Sequence, residues 1–122
     1  EGTQEDSYES TTFAMDTVMT FHIVAPDGED LLIDAEQEVK RLEKLFSVTD
    51  EDSDIEQIND NAGDKAVTVS ADTLALLKAG KQLGKATNNA FDMAIYPIVK
   101  AWGFTENEYT FPRRKHWIRF CR

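Results

Sequence analysis

The stretch TNNAFDMAIYPIVKAWGF, residues 87–104, predicts a tight loop followed by a short helix. Asparagine tolerates the left-handed backbone conformation, so the adjacent Asn88 and Asn89 permit a sharp turn. A lone carboxylate, Asp92, follows them, and Pro97 suits the first turn of a helix. This short segment combines small residues, one acid and aromatic rings. Such a composition suits a backbone that turns tightly against a flat aromatic ligand.

The loop Ala90-Phe91-Asp92 has two interpretations. In a binding loop, the alanine lets another group approach closely, and the carboxylate accepts hydrogen bonds from ring or backbone N–H groups. In a plain helix-to-helix loop, Phe91 packs in the core and Asp92 caps the next helix. Considered without further context, the residues favour the second interpretation, because turns are commoner than sites.

Composition bounds the class of protein. The chain has 122 residues, 41% of them apolar, which suits one modest folded domain. Its formal net charge of -10 argues against nucleic acid or an anionic membrane as a partner. No apolar run approaches transmembrane length. The single cysteine, Cys121, excludes an intrachain disulfide.

The charge changes sign abruptly near the C-terminal end. The last ten positions contain no acid and five basic residues, Arg113, Arg114, Lys115, Arg119 and Arg122. We therefore predict three segments: a polar N-terminal tether over residues 1–11, a domain over residues 12–111 and a basic tail over residues 112–122. A shifted reading frame is one explanation of the tail, and a natural basic tail is the other.

Periodicity predicts the elements of the first half. Alternating apolar residues over Met15–Val24 predict a half-buried strand that ends at a turn beginning with Pro26. Apolar residues at helical spacing from Leu31 to Phe46 predict an amphipathic helix of about five turns. Ser53 followed by Glu56 predicts a capped short helix that ends near Asn59.

The second half predicts one brief strand and two further helices. The strand is expected over Ala66–Val69, and Ser70 is expected to cap a helix that ends around Gly84. The final helix is expected from Pro97 to Trp102. The predicted fold class is α+β, with more helices than strands.

Metal and catalytic motifs are incomplete. Asp50, Asp52 and Asp54 have the spacing of a calcium loop, but Ile55 stands at the glycine position and Asn61 at the glutamate position. We therefore interpret the run as an acidic turn before a capped helix. Neither histidine has a partner at metal-ligand spacing, so we predict no metal site and no complete catalytic set in this chain.

Four short motifs carry a family resemblance, in chain order. Met15-Asp16-Thr17 stands at an M-G-T motif on a first strand. Phe46-Ser47, Asp52-Ser53 and Ile58-Asn59 stand at F-S, P-x-S-E and F-N. Ala90-Phe91-Asp92 stands at G-A-F-D, and Pro97 with Trp102-Gly103-Phe104 at P-L-V-x-x-W-G-F. Together these motifs, over roughly residues 12–111, resemble the N-terminal portion of the ApbE family of FAD:protein FMN transferases.

The resemblance implies a fold and a reaction. The fold would be the N-terminal part of an ApbE-like flavin transferase, related to the T-fold, with helices on a small antiparallel sheet. The family transfers FMN from FAD to a threonine or serine of an acceptor flavoprotein, uses Mg²⁺ and releases AMP. The family's metal-binding and catalytic residues lie in its C-terminal half. We therefore expect a truncated transferase that is inactive alone, and exported, as a periplasmic or cell-surface lipoprotein.

The resemblance also places candidate FAD-binding residues. Met15 and the loop Ala90-Phe91-Asp92 would line the pocket. Asn59 and Trp102 would lie in or near it, although a helix C-cap and core packing are their respective alternatives.

Three positions depart from the family pattern. Asp16 and Asn89 replace glycines, and Thr49 stands where relatives often place a tyrosine against the flavin. The pocket is therefore expected to be weaker or differently shaped.

Two further hypotheses stay open. The chain could be a non-catalytic secreted module that binds flavin or a protein, or it could pair with a separately made C-terminal half and regain activity. Truncation would also expose apolar surface, so we predict self-association.

Overall fold

The computed structural model describes residues 6–105 and 108–111 of the chain. The described part contains two strands, a short 3-10 helix and four α-helices. It divides into two compact units, the first ending at Val69 and the second beginning at Ser70. The elements are β1 (Ser7–Ala14), β2 (Thr17–Val24), α1 (Gly28–Phe46), α2 (Asp54–Asp60), α3 (Ala71–Ala86), the 3-10 helix (Met93–Ile95) and α4 (Tyr96–Ala101). The predicted α+β class is confirmed.

The first unit begins with an antiparallel hairpin. Ser7 pairs with Val24 at its open end and Ala14 with Thr17 at its closed end. Residues 7–11, predicted as part of a polar tether, lie in β1, because pairing with β2 satisfies their backbone groups whatever their polarity. Met15, predicted to begin the strand, lies instead in the two-residue turn that joins the strands.

Helix α1 packs on this hairpin. Leu32 of α1 is buried, as is Ala14 at the end of β1. The ring of Tyr8 occupies the space that a Cβ at position 28 would fill, so Gly28 permits the close approach at the start of the helix. The amphipathic helix predicted from Leu31 to Phe46 is confirmed, and it begins three residues earlier, at Gly28; Leu32 is buried, whereas Leu31, the first residue of the predicted apolar stripe, is exposed.

Helix α2 follows a tight loop and contacts α1. Ser53 is its N-cap, and its hydroxyl oxygen accepts a hydrogen bond of 3.0 Å from the backbone N–H of Glu56. This confirms the predicted cap. The brief strand predicted over Ala66–Val69 is wrong: within the described chain this segment pairs with no strand, and it runs as irregular backbone into the second unit.

The second unit consists of α3, the 3-10 helix and α4. Ser70 caps α3 as predicted, accepting a hydrogen bond of 3.2 Å from the N–H of Thr73. The helix continues past Gly84 to Ala86. Gly84 instead makes room for the following loop, since a Cβ there would lie 3.2 Å from the Phe91 carbonyl oxygen. Pro97 lies in the first turn of α4, also as predicted.

Both units leave apolar side chains exposed. On α3 the exposed set is Leu74, Leu76 and Leu83, and the hairpin exposes Phe13 and Val18. Among the described helices, none combines the length and the hydropathy that a bilayer span requires.

Candidate functional site

The candidate FAD-binding residues fall in both units. Met15, Thr49 and Asn59 belong to the first unit, and Ala90, Phe91, Asp92 and Trp102 belong to the second. The structure brings Ala90, Phe91 and Asp92 together in one loop, whereas the others lie on separate elements.

Met15 and Asp16 form the hairpin turn between β1 and β2. Both have positive φ, 51° at Met15 and 57° at Asp16. Positive φ at both central residues is what the type I′ two-residue hairpin connection requires, and glycine adopts it most easily. This geometry is the physical reason why a glycine suits the position of Asp16. The Met15 side chain is 41% exposed.

A carboxylate of α1 holds the hairpin turn. The backbone N–H of Met15 donates a hydrogen bond of 2.5 Å to Oε1 of Glu43. Glu36, two helical turns earlier, accepts a hydrogen bond from the hydroxyl of Ser10 in β1. Two carboxylates on one side of α1 therefore tie the helix to the strand and to the turn.

Thr49 lies in the loop between α1 and α2, which begins at Ser47. The Ser47 hydroxyl oxygen accepts hydrogen bonds of 3.1 Å from the backbone N–H groups of Thr49 and Asp50. The Thr49 hydroxyl lies 3.2 Å from the same oxygen. Because its backbone and its hydroxyl both contact Ser47, Thr49 is exposed but held in place.

Asn59 lies inside α2 and is not its C-cap. The helix ends at Asp60, and Asn61 is the capping residue. The side-chain Nδ2 of Asn59 donates to Oε2 of Glu56 at 3.5 Å. The backbone carbonyl of Asn59 accepts a hydrogen bond from the backbone N–H of Ala62. The C-cap alternative for Asn59 is therefore wrong by two positions, and the half-buried amide is held along the helix by Glu56.

The asparagine loop, residues 87–92, connects α3 to the 3-10 helix. Asn88 has φ of 51° and Asn89 has φ of 61°, which confirms the predicted left-handed turn. The N–H of Asn89 donates to the Gly84 carbonyl at 2.8 Å, and the N–H of Phe91 donates to the Thr87 hydroxyl at 3.1 Å. The end of α3 therefore supports the loop on both sides of Ala90.

Asp92 and Phe91 each agree with one of the two interpretations of this loop. Oδ1 of Asp92 accepts a hydrogen bond of 2.9 Å from the N–H of Ala94, so the carboxylate caps the 3-10 helix. Phe91, however, is 40% exposed and does not pack in a core. The loop thus presents a small residue and an aromatic ring beside an oriented carboxylate.

Trp102 belongs to an aromatic cluster at the end of α4. Its ring stacks on that of Phe104, with the ring centroids 6.1 Å apart. It also makes a T-shaped contact with the ring of Phe111, with a centroid distance of 5.3 Å. The next residue, Gly103, has φ of 73°, and the Glu108 carbonyl lies where its Cβ would be. These contacts favour the packing role for Trp102.

In the described part of the chain, no group of three His, Cys, Asp or Glu side chains lies close enough together to bind a metal ion. One carboxylate has a perturbed titration. Hydrogen bonds from the Arg41 guanidinium to Glu38, with a smaller contribution from its charge, lower the pKa of Glu38. Both residues lie on α1.

Sequence reasoning missed Glu43 and the support from Ser47. Each acts through a backbone group, and backbone partners leave no residue-type signal in the chain. The spacing of Glu36 and Glu43 was visible, but only the packing of α1 on the hairpin shows that both carboxylates meet it.

Comparisons with known proteins agree on one family. The sequence model of the ApbE family matches residues 15–119. The chain is 38% identical to an FAD:protein FMN transferase of Klebsiella pneumoniae over 66 residues, which are 54% of this chain and 21% of that one. It is 26% identical to a protein of the same name from Vibrio cholerae over 78 residues, 64% of this chain and 23% of that one.

A solved structure gives the same result. The crystal structure of the ApbE protein from Thermotoga maritima matches with a TM-score of 0.87 and 28% sequence identity. The match covers 93% of this chain and 38% of the Thermotoga chain. The chain therefore spans well under half the length of the relatives that it matches.

Proposed function

The chain belongs to the ApbE family, and we propose that it supplies the N-terminal FAD-binding wall of an FAD:protein FMN transferase. The observation that carries the proposal is the family match over residues 15–119, which starts at the hairpin turn and includes the asparagine loop. The two curated relatives bear the name of this activity. Both matched segments have positive-φ backbone beside an exposed apolar side chain.

These segments suit a flat ligand. In the second unit, Phe91 exposes an aromatic ring and Ala90 leaves room for a ring system to approach the backbone of the asparagine loop. In the first unit, Met15 separately exposes apolar surface at the hairpin turn. Asp92, oriented by its bond to the Ala94 N–H, offers carboxylate oxygen to N–H donors of the ligand. Thr49 and Asn59 of the first unit and Trp102 of the second are secondary candidates in this proposal.

In the proposed reaction, the hydroxyl oxygen of an acceptor threonine or serine bonds to the phosphorus of the FMN half of FAD. The bond from that phosphorus to the AMP oxygen breaks, AMP leaves, and a base takes the hydroxyl proton. A divalent cation would neutralise the diphosphate. The described residues do not fit such an ion, because they contain no ligand set. The ligands in this proposal come from polypeptide beyond the matched part, so this chain alone binds FAD without transferring FMN.

Titration with FAD, followed by flavin fluorescence, tests the proposal. Ala90→Leu should abolish binding by filling the approach to the loop. Ala75→Leu, at an exposed position of α3, is the matched control and should bind like the unsubstituted chain. A chain that leaves FAD fluorescence unchanged would overturn the proposed function. AMP release from FAD with Mg²⁺ and a threonine-bearing peptide would overturn the proposed inactivity of the chain alone.

We also propose that the protein acts outside the cytoplasm, as the family resemblance implies. Fractionation of the source cells with an antibody against this chain tests that location. Recovery from the cytoplasmic fraction alone would contradict it.

A further inference from the structure

The hairpin turn is held in a conformation that its residues do not favour. Met15 and Asp16 both have a Cβ, yet their φ angles are 51° and 57°. A Cβ disfavours this left-handed region, and methionine has no short polar side chain with which to compensate. The turn therefore depends on contacts from outside the hairpin to keep its shape.

Glu43 provides such a contact. Its Oε1 atom accepts a hydrogen bond of 2.5 Å from the Met15 N–H, across 28 positions of sequence. Glu43 is half-buried on α1, a helix of 19 residues that packs on both strands, so its own position is well defined. A hydrogen bond to a carboxylate is stronger than one between neutral groups. The bond therefore joins a rigid helix to the least favourable point of the hairpin.

We propose that Glu43 is a positioning residue for FAD binding, because it holds the turn that presents the Met15 side chain. The inference rests on the proposed function, since it is Met15 that would contact the flavin nucleotide. Glu43 need not touch the ligand. It acts by keeping the backbone of Met15 in place while the side chain, 41% exposed, stays accessible.

Three variants of the chain separate this role from general stability. Glu43→Ala removes the acceptor, and Glu43→Gln keeps an acceptor oxygen without the charge. Asp34→Ala removes a carboxylate from an exposed position of the same helix and is the matched control. We expect Glu43→Ala to raise the Kd for FAD about tenfold, equivalent to about 1.4 kcal/mol. Glu43→Gln should stay within about threefold of the unsubstituted chain, and Asp34→Ala should match it.

A double-mutant cycle with Asp16→Gly gives a readout that a merely structural role would not move. Glycine adopts the positive φ without the Cβ penalty, so the turn should need less support. In the Asp16→Gly background, Glu43→Ala should therefore change the Kd for FAD less than it does in the unsubstituted chain. Equal effects in the two backgrounds, or a Glu43→Gln Kd as high as that of Glu43→Ala, would overturn the proposal.

Amide hydrogen exchange at Met15 keeps this test independent of the proposed function. Glu43→Ala should speed exchange of the Met15 N–H, and Asp34→Ala should not. If the unsubstituted chain fails to bind FAD, the proposed function is overturned while faster exchange still supports the hold of Glu43 on the turn. Unchanged exchange in Glu43→Ala would overturn that hold whether FAD binds or not.

Discussion

Ser53 and Ser47 are joined by a hydrogen bond of 2.5 Å from the Ser53 hydroxyl to the Ser47 carbonyl oxygen. The same hydroxyl oxygen accepts the N–H of Glu56 at 3.0 Å, and the Ser53 side chain is 1% exposed. One buried hydroxyl therefore closes the loop after α1 and caps α2. This double use explains why a small polar residue is buried beside two helices.

Replacement of Ser53 should destabilise the first unit more than loss of an ordinary cap. Ser53→Ala should lower the free energy of unfolding by about 2–3 kcal/mol, because it removes the cap and leaves the half-buried Ser47 carbonyl without this donor. Ser70→Ala is a comparison variant, since it removes the half-buried cap of α3 together with the hydrogen bond of 3.0 Å that the Ser70 hydroxyl donates to the Thr73 hydroxyl, and it should cost about 1–2 kcal/mol. Urea unfolding followed by circular dichroism measures both. A cost of Ser53→Ala no larger than about 1 kcal/mol would show that the bond to Ser47 contributes nothing beyond the cap.

Gly103 should be intolerant of alanine, and Gly63 should tolerate it better. Both have positive φ, 73° at Gly103 and 84° at Gly63. A Cβ at Gly63 meets nothing within 4 Å, whereas at Gly103 it would coincide with the Glu108 carbonyl. We expect Gly63→Ala to cost about 1 kcal/mol of unfolding free energy and Gly103→Ala about 3 kcal/mol or more.

Near-ultraviolet circular dichroism gives the second readout for these glycines. Gly103→Ala should change the aromatic signal, because the new Cβ would push away the backbone at Glu108. The segment that follows contacts Trp102 through the ring of Phe111 and through the N–H of Thr110, which donates to the Trp102 carbonyl. Gly63→Ala should leave that signal unchanged. An unchanged signal and a small cost in Gly103→Ala would mean that the close approach to Glu108 is not maintained in solution.

The contribution of the Glu38–Arg41 pair to stability should decrease as the pH falls. Hydrogen bonds of 2.8 Å from Arg41 lower the pKa of the Glu38 carboxyl below its ordinary value. A depressed folded-state pKa stabilises the protein above the unfolded-state pKa, and this contribution is lost as the pH falls through the folded value. Arg41→Ala should therefore raise the pKa of Glu38 toward its ordinary value, as measured by NMR titration of the side-chain carboxyl.

The effect of this pair on stability should be small, since the two side chains are 49% and 55% exposed. Glu38→Gln provides the control, because the effect of Arg41→Ala on stability should no longer vary with pH in that background. A Glu38 titration that is the same with and without Arg41 would contradict the assignment.

The exposed leucines of α3 should cause self-association. Leu76 and Leu83, 45% and 48% exposed, lie two helical turns apart on one side of the helix. Light scattering should detect species larger than a monomer, and Leu76→Glu with Leu83→Glu should reduce them. Gln82→Glu adds the same charge at an exposed position and should have little effect. A monodisperse monomer of the unsubstituted chain would contradict this prediction.

The sequence predicted those features that depend on residues three or four positions apart. The caps Ser53 and Ser70 and the turn at Asn88-Asn89 are of this kind. In the two caps the partner lies three positions away, and the asparagine turn needs only two adjacent residues that tolerate positive φ, so residue type and spacing contain the signal. The family resemblance likewise required only the order of short motifs, and the family match confirms it.

Features that depend on distant partners were wrong or missed. The polar residues 7–11 form a strand because β2 supplies their hydrogen-bond partners, and Ala66–Val69 is not a strand, since no described strand pairs with it. The predicted tail, residues 112–122, lies outside the described residues. The roles of the candidate FAD-binding residues also stay predictions.

By itself, the sequence determined the caps of α2 and α3, the left-handed asparagine turn, the α+β class and the family. These follow from local hydrogen bonds, backbone preference and apolar periodicity, all of which depend on residues that are close together in the sequence. Only the tertiary structure decided that Met15 lies in a turn held by Glu43, and that Gly103 must lack a side chain beside Glu108. Those relationships arise where α1 packs on the hairpin and where the chain folds back on α4. A backbone N–H donates to, and a carbonyl accepts from, whichever partner packing brings to it.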